Sequence, residues 1–153
     1  MSKNLIIREA TREDVAAIRT LLADDKLGAE REDMSDEGLQ KYLDAFDEID
    51  RDARNHLMVA ERNSDVVGVY QVTYIPYLSR GGNERCLIEA VRVSSNLRGE
   101  GVGQQMMEFA LNEARAHGCL LAQLTTDKTR PDAHRFYERL GFVRSHEGMK
   151  LQL

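Results

Sequence analysis

The sequence has few cysteines and no long apolar run. Cys86 and Cys119 are far apart and match no metal or redox spacing, which predicts two reduced and mostly buried thiols. No apolar run approaches the roughly 18–20 residues needed to span a bilayer. The apolar stretch at residues 5–7 is also too short for the core of a signal peptide. We therefore expect a cytoplasmic protein that does not associate with a membrane.

Prolines are also scarce, and acidic residues outnumber basic ones. Neither Pro76 nor Pro131 marks a domain boundary, and the chain shows no internal repeat, low-complexity segment or linker. Its 153 residues, of which 42% are hydrophobic and 31% charged, predict one globular domain over residues 1–153. The formal net charge is −5. A nucleic-acid-binding surface needs the opposite balance, so we expect no nucleic-acid partner.

Apolar periodicity predicts an α/β chain with the element order β-α-α-β-β-β-α-β-α-β-β. Thr11, three residues before Asp14, and Ser35 are typical helix starts, and Gly118 is a typical helix end. Hairpins combined with one β-α-β unit predict a mixed sheet with helices on its faces. We expect strands at 5–8, 56–61, 66–74, 86–93 and 119–126, and a final hairpin within 142–153.

A glycine-rich turn, Arg-Gly-Glu-Gly-Val-Gly at residues 98–103, lies between a predicted strand and a predicted helix. Glycines there leave backbone N–H groups unobstructed at the positive end of the helix dipole, which favours a diphosphate. Arg98 adds a positive charge and a forked donor. A tight turn that allows close helix packing would explain the same glycines.

Two other kinds of nucleotide site also use glycine-rich turns. A Walker loop needs Gly-Lys-Ser or Gly-Lys-Thr, which the sequence lacks. A dinucleotide fold usually places its glycines directly at a strand end, whereas residues 94–97 intervene here. Asp127 ends the next predicted strand, where a ribose-binding acid could lie, so the dinucleotide alternative stays open.

Two segments resemble the signatures of GNAT acetyltransferases. Residues 88–93, followed by the turn at 98–103, are similar to that family's signature strand and diphosphate loop. Residues 133–142 are similar to its second signature, Ala-x-x-x-Tyr-x-x-x-Gly-Phe. The resemblance implies the acyl-CoA N-acyltransferase fold, with a mostly antiparallel sheet. It also implies direct transfer of an acetyl group from acetyl-CoA to a primary amine of a small molecule or peptide.

The resemblance also implies where acetyl-CoA would bind. In this family the signature strand and the next strand separate at a bulge, and pantetheine lies in the gap. By position, Val91 and Val93, with Arg92 between them, would bond the pantetheine. Where many members carry asparagine, this chain has Arg130, so Arg130 or His134 would replace that contact. The diphosphate would be held by Arg98, Gly99, Glu100, Gly101, Val102 and Gly103.

Amide formation needs an acid for the departing thiolate, and the resemblance assigns this role to Tyr137. Tyr137 would also contact the cofactor. The structural alternative is a helix tyrosine half-packed on the core; however, adjacent Phe136 and Tyr137 cannot both face that core. No pair of the four histidines has metal spacing, so we expect no metal.

Glu89 is the candidate general base because it is an acid inside an otherwise apolar strand. Strand alternation predicts that Glu89, Val91 and Val93 share one face. A partly buried carboxylate there would suit proton abstraction through water. A structural salt bridge with Arg92 or Arg98 is the alternative.

The segment from Asp24 to Arg54 holds twelve carboxylates and five basic residues. In the GNAT family this region helps to shape the acceptor site, and excess carboxylate would attract a cationic amine. A solvated helix face explains the same charges. The rival hypothesis for the whole chain is a non-catalytic acyl-CoA-binding sensor or partner-binding domain. Residues 149–153 alternate like a strand near a sheet edge, which predicts a homodimer.

Overall fold

The computed structural model describes residues 4–153, which divide into two compact units. The first ends at Gln123, and the second spans Leu124–Leu153. The first unit contains one five-stranded sheet in the order β1-β2-β3-β4-β5. Its strands are β1 (Leu5–Glu9), β2 (Asn55–Arg62), β3 (Asp65–Ile75), β4 (Arg85–Val93) and β5 (Leu121–Gln123).

The sheet is mixed and mostly antiparallel, as predicted, because only the β4–β5 pair is parallel. Thr11 and Ser35 begin helical segments as expected, and the Ser35 hydroxyl accepts a hydrogen bond from the backbone N–H of Gly38 at 3.0 Å. The helices of this unit are α1 (Val15–Leu22), α2 (Lys26–Arg31), α3 (Asp36–Arg51), the distorted turn α4 (Ser79–Gly82) and α5 (Val102–Ala116), with 3₁₀ turns at Arg12–Asp14 and Ser95–Leu97.

Helices cover both faces of the sheet. Val59 and Val69 are fully buried in a cluster with apolar side chains of α1 and α3. Tyr70 follows Val69 in β3 and therefore points to the opposite face. On that face Met106 of α5 packs so close to Gly68 that a Cβ atom at residue 68 would meet the Met106 sulfur at 2.5 Å.

An ion-pair network fixes the start of α1 on the sheet. The Arg8 guanidinium donates to the Asp14 carboxylate at 2.7 Å and to the Glu61 carboxylate at 2.8 Å. The Asp14 carboxylate also accepts from the backbone N–H of Thr11 at 2.7 Å. The hydrogen bond from Arg8 holds the pKa of Asp14 below its usual value. This network joins β1, β2 and the first helix on the face that α1 and α3 cover.

The second unit contains one helix, α6 (Pro131–Arg139), and no strand. The hairpin predicted within residues 142–153 is therefore wrong, and the strand predicted at 119–126 is shortened to β5. Alternating apolar residues supply one face of a strand, but a strand also needs a main-chain partner. A lone two-stranded hairpin is only marginally stable. The thiols of Cys86 and Cys119 are free and buried, as expected.

Candidate active site

The loop at residues 98–103 is a turn that leads into α5, as its glycines predict. Gly99 and Gly101 have φ values of 81° and 79°, in the left-handed region that glycine adopts without penalty. Among the residues that the structure describes, no atom lies within 4 Å of where a Cβ atom would stand at either position. These glycines are thus required by backbone conformation and not by close helix packing. The space beside them is open.

Gly101 is the N-cap of α5, a helix of 15 residues, and Val102, its first residue, is buried. The N–H groups of the first helical turn have no acceptor inside the helix. These donors, together with the helix dipole, form an anion-binding terminus. Arg98 lies directly before Gly99, so the loop also carries a positive charge.

The connection between α1 and α2 contacts the end of β4, the 3₁₀ turn that follows it and Arg98 of the loop. The Asp24 carboxylate accepts from the Ser95 backbone N–H at 2.9 Å, and Arg98 donates to the Asp24 carbonyl oxygen at 3.5 Å. One residue further, the Asp25 carboxylate lies 3.7 Å from Arg92 Nε. The sequence interpretation missed both aspartates as neighbours of this region, because they precede it by about seventy residues.

β4 carries the bulge that the resemblance implied. Glu89 pairs with Gln71 and Arg92 pairs with Val69, so β4 has one more residue than β3 between these pairs. Ala90 takes up the extra length with a φ of 54°, which is unusual for a residue other than glycine. On its other side, β4 pairs with β5 only over residues 85–87 of β4. In the described chain, the part of β4 that follows residue 87 therefore has no strand partner on that side.

This bulge corrects the predicted alternation. Val93 pairs with Gly68, which lies on the face of Tyr70, whereas Glu89 pairs with Gln71 on the face of Val69. Glu89 and Val93 therefore lie on opposite faces, because the extra residue changes the side-chain direction. The carbonyl oxygen of Val91 accepts a hydrogen bond from Arg92 Nη1 at 2.8 Å.

Glu89 is exposed, so the expectation of a partly buried carboxylate is wrong. The structural alternative for Glu89 is also not formed. Arg92 lies against Asp25 and Arg98 against Asp24, and no ion pair within the described residues joins either arginine to Glu89. The carboxylate is therefore left accessible at the bulge.

A shallow, wide-open cleft of about 580 Å³ lies where the end of α3 meets β2 and β3. Its floor includes Asn55 and Gln71, and the Asn55 carboxamide oxygen accepts from Gln71 Nε2 at 3.3 Å. Since Gln71 is the register partner of Glu89, the base candidate projects from the same face of the sheet as the cleft floor. The sequence interpretation identified neither Asn55 nor Gln71. The cleft is lined by Glu48, Ile49, Arg51, Asp52, Ala53, Asn55 and Gln71.

The second unit carries the remaining predicted site residues on α6. Tyr137 is half-buried, with its ring in edge contact with Phe136 at 5.1 Å and with Phe142 at 5.9 Å between centroids. His134 Nε2 lies 2.9 Å from the Asp127 carbonyl oxygen. That ring nitrogen of His134 is thus already engaged in fixing the loop before α6.

Comparison with known proteins identifies the family of this chain. The model of the acetyltransferase (GNAT) family matches residues 15–142. The aminoalkylphosphonate N-acetyltransferase of Salmonella typhimurium is 32% identical over 140 residues, which are 92% of this chain and 86% of that protein. A solved transcriptional regulator from Bacillus halodurans C-125 is 47% identical with a TM-score of 0.95, covering 98% of this chain and 100% of its own.

The chain belongs to the GNAT acetyltransferase family. It is an acetyl-CoA-dependent acyltransferase with the acyl-CoA N-acyltransferase fold. A predicted acetyltransferase from Clostridium acetobutylicum, solved with acetyl-CoA, shares this fold at a TM-score of 0.75 and 17% identity, over 97% of this chain and 96% of that one.

Among residues 4–153, no group of three or more His, Cys, Asp or Glu side chains is arranged to hold a metal ion. No helix among these residues has the length and hydropathy needed to cross a membrane.

Proposed function

We propose that this enzyme transfers the acetyl group of acetyl-CoA to a primary amine of a small molecule or peptide by direct attack. The observation that carries the proposal is the position of Glu89, which is exposed at the bulge and shares a sheet face with the floor of the cleft. An amine in the cleft would meet a proton acceptor beside the strand that the family uses for pantetheine. The aminoalkylphosphonate N-acetyltransferase to which the chain is similar also acts, by its name, on an amine.

The cofactor contacts follow from the family motif and the local backbone. Val91, Arg92 and Val93 lie on the part of β4 that does not pair with β5 in the described residues, so we expect their main chain to bond pantetheine as an added strand. The diphosphate would be held by Arg98, Gly99, Glu100, Gly101, Val102 and Gly103, at the open N-terminus of α5. Motif position supports cofactor contacts by His134 and Tyr137 of α6.

The transfer requires two proton movements. The amine nitrogen bonds the thioester carbonyl carbon, loses a proton and displaces the thiolate of CoA, which gains a proton. Glu89 would accept the amine proton through water, and Tyr137 would donate to the sulfur. The carboxylates of Glu48 and Asp52 on the cleft wall would favour a cationic acceptor. Arg51 partly offsets them through its 2.7 Å contact with Glu48.

The family match at residues 15–142 crosses the boundary between the two compact units. It therefore supports the proposal that residues 1–153 form a single acetyltransferase domain. A cytoplasmic location also remains a proposal, and it is supported by two cysteines that are free and buried, as is usual in a reducing compartment.

We expect CoA release to depend on both acetyl-CoA and an amine. The test uses a panel of amines with zero, one and several positive charges at equal concentration, and a thiol reagent detects the CoA that is released. At least one primary amine should support turnover. Cationic acceptors should give the highest kcat/KM, because the cleft wall is acidic. With the best acceptor, Glu89→Gln should reduce turnover while CoA affinity stays the same.

The rival sensor makes the opposite prediction for this panel. A sensor or partner-binding domain would bind CoA and release none of it with any acceptor. Neutral or anionic amines that outperform all cationic ones would remove the argument from Glu48 and Asp52. A Glu89→Gln protein with full turnover would show that another group or water takes the proton.

A homodimer is also proposed, on the basis of the exposed end of the chain. Met149, Leu151 and Leu153 are almost fully exposed, with Val143 near them in sequence. Exposed groups of large apolar side chains are typical of interaction surfaces. We expect light scattering at micromolar concentration to report a dimer. A Met149→Glu, Leu151→Glu double variant should weaken it, whereas Leu78→Glu, at a loop residue that is 97% exposed, should not. A monomeric wild-type protein would contradict this proposal.

A further inference from the structure

Arg62 is a buried cation that touches the diphosphate loop. It is the last residue of β2, and its side chain is only 8% exposed. Its Nη1 donates to the Glu100 carboxylate at 2.6 Å. Within the described residues its Nε atom has no hydrogen-bond partner. No local sequence pattern predicts this contact, because 38 residues separate the two side chains.

Each member of this pair would be unfavourable alone. Glu100 places a carboxylate inside a loop whose glycines and arginine would bind an anion, and two like charges a few ångströms apart repel. Arg62 places a guanidinium in the protein interior, where an unpaired charge is strongly destabilising. Because the two groups bond each other, the buried cation is paired and the carboxylate is held towards β2.

We infer that Arg62 is a positioning residue for acetyl-CoA, which keeps the Glu100 carboxylate away from the N–H groups at the start of α5. This inference rests on the proposed diphosphate site at residues 98–103. With Glu100 held by Arg62, the diphosphate meets Arg98 and the helix terminus, and the charge of Glu100 is neutralised. Without Arg62, the carboxylate is released beside the diphosphate and competes with it.

The simplest test is the affinity for CoA measured by calorimetry. Arg62→Met keeps much of the apolar stem without the charge, and we expect it to weaken CoA binding about tenfold, through repulsion by the released carboxylate. Adding Glu100→Gln in the same chain should restore most of that loss, since no carboxylate then remains. The KM for acetyl-CoA should rise in Arg62→Met while kcat and the KM for the amine change little.

A matched control separates this role from a purely structural one. The Arg8 guanidinium is also paired with carboxylates, those of Asp14 and Glu61, but on the opposite face of the sheet. Arg8→Met should lower the melting temperature without changing CoA affinity. If Arg62→Met loses only stability, or if Glu100→Gln does not restore its CoA affinity, Arg62 is structural and the inference is wrong.

Two substitutions of Glu100 test the same idea in a chain that retains Arg62, should Arg62→Met fail to fold. Glu100→Asp keeps the charge but shortens the side chain, which breaks the 2.6 Å contact, so CoA binding should weaken. Glu100→Gln removes the charge, so CoA binding should tighten by up to about threefold. Tighter CoA binding by Glu100→Asp than by Glu100→Gln would overturn the inference. A wild-type protein that binds no CoA would instead refute the proposed cofactor site itself.

Discussion

Replacing Tyr137 with phenylalanine should lower kcat by about 10²–10⁴-fold, which is the usual contribution of general acid catalysis. A free thiol has an ordinary pKa near 8.5, and a free phenol has one near 10. Proton transfer from the Tyr137 phenol to the CoA thiolate is therefore uphill by about 2 kcal/mol in water. A hydroxyl that already hydrogen-bonds the sulfur can make that transfer as negative charge develops. The phenylalanine ring keeps the contacts with Phe136 and Phe142, so affinity for CoA and melting temperature should change little.

Single-turnover rates provide the decisive measurement, because product release can hide a slower chemical step. Tyr74→Phe is a matched control, since it also removes one phenol oxygen from a ring that stays stacked, here on His117 at 3.9 Å. Burial raises the pKa of Tyr74 to about 12, so this substitution changes no charge near neutral pH. A Tyr137→Phe enzyme with the wild-type single-turnover rate would show that water or another residue protonates the thiolate. A loss of several degrees of melting temperature would favour a structural role.

Gly101→Val should weaken CoA binding by about a hundredfold or more. Valine in the left-handed region costs about 1–2 kcal/mol, so the loop would leave its present conformation. A branched side chain would also occupy the open space in front of the first N–H groups of α5. The backbone donors would then no longer converge on the diphosphate. Calorimetry with CoA measures this loss directly.

Gly118→Val controls for the backbone strain. Gly118 follows the other end of α5 and has a φ of 94°, and no described atom lies within 4 Å of where its Cβ atom would stand. The substitution should cost similar stability and leave CoA affinity at the wild-type value. A folded Gly101→Val protein with unchanged CoA affinity would refute the placement of the diphosphate.

Local signals predicted the parts of the molecule that local physics decides. The glycines at residues 99, 101 and 103 indicated a turn with accessible backbone N–H groups, and the apolar spacing after Val102 indicated α5. The capping signal at Ser35 placed the start of α3. These features depend on residues within a few positions of one another, so one sequence is enough to find them.

The remaining features depend on contacts between distant segments. Alternation failed at β4 because the extra residue at Ala90 reverses the side-chain direction after it, and only the family resemblance anticipated a bulge. Asp24 and Arg62 reach the cofactor loop from segments far away in the chain. The predicted terminal strand at 149–153 failed because alternation does not provide a partner strand.

The left-handed Ala90 also has a consequence for protein engineering. A redesign that ranks sequence changes by the stability of the unliganded fold would favour deleting the extra residue of β4. A regular β4 would be relieved of about 1–2 kcal/mol of backbone strain and would gain sheet pairing with β3. The same change would close the gap that we propose for pantetheine. Stabilisation of this kind commonly reduces activity where a strained segment serves the reaction. Residue 90 and its neighbours should therefore be held fixed when thermostable variants are selected.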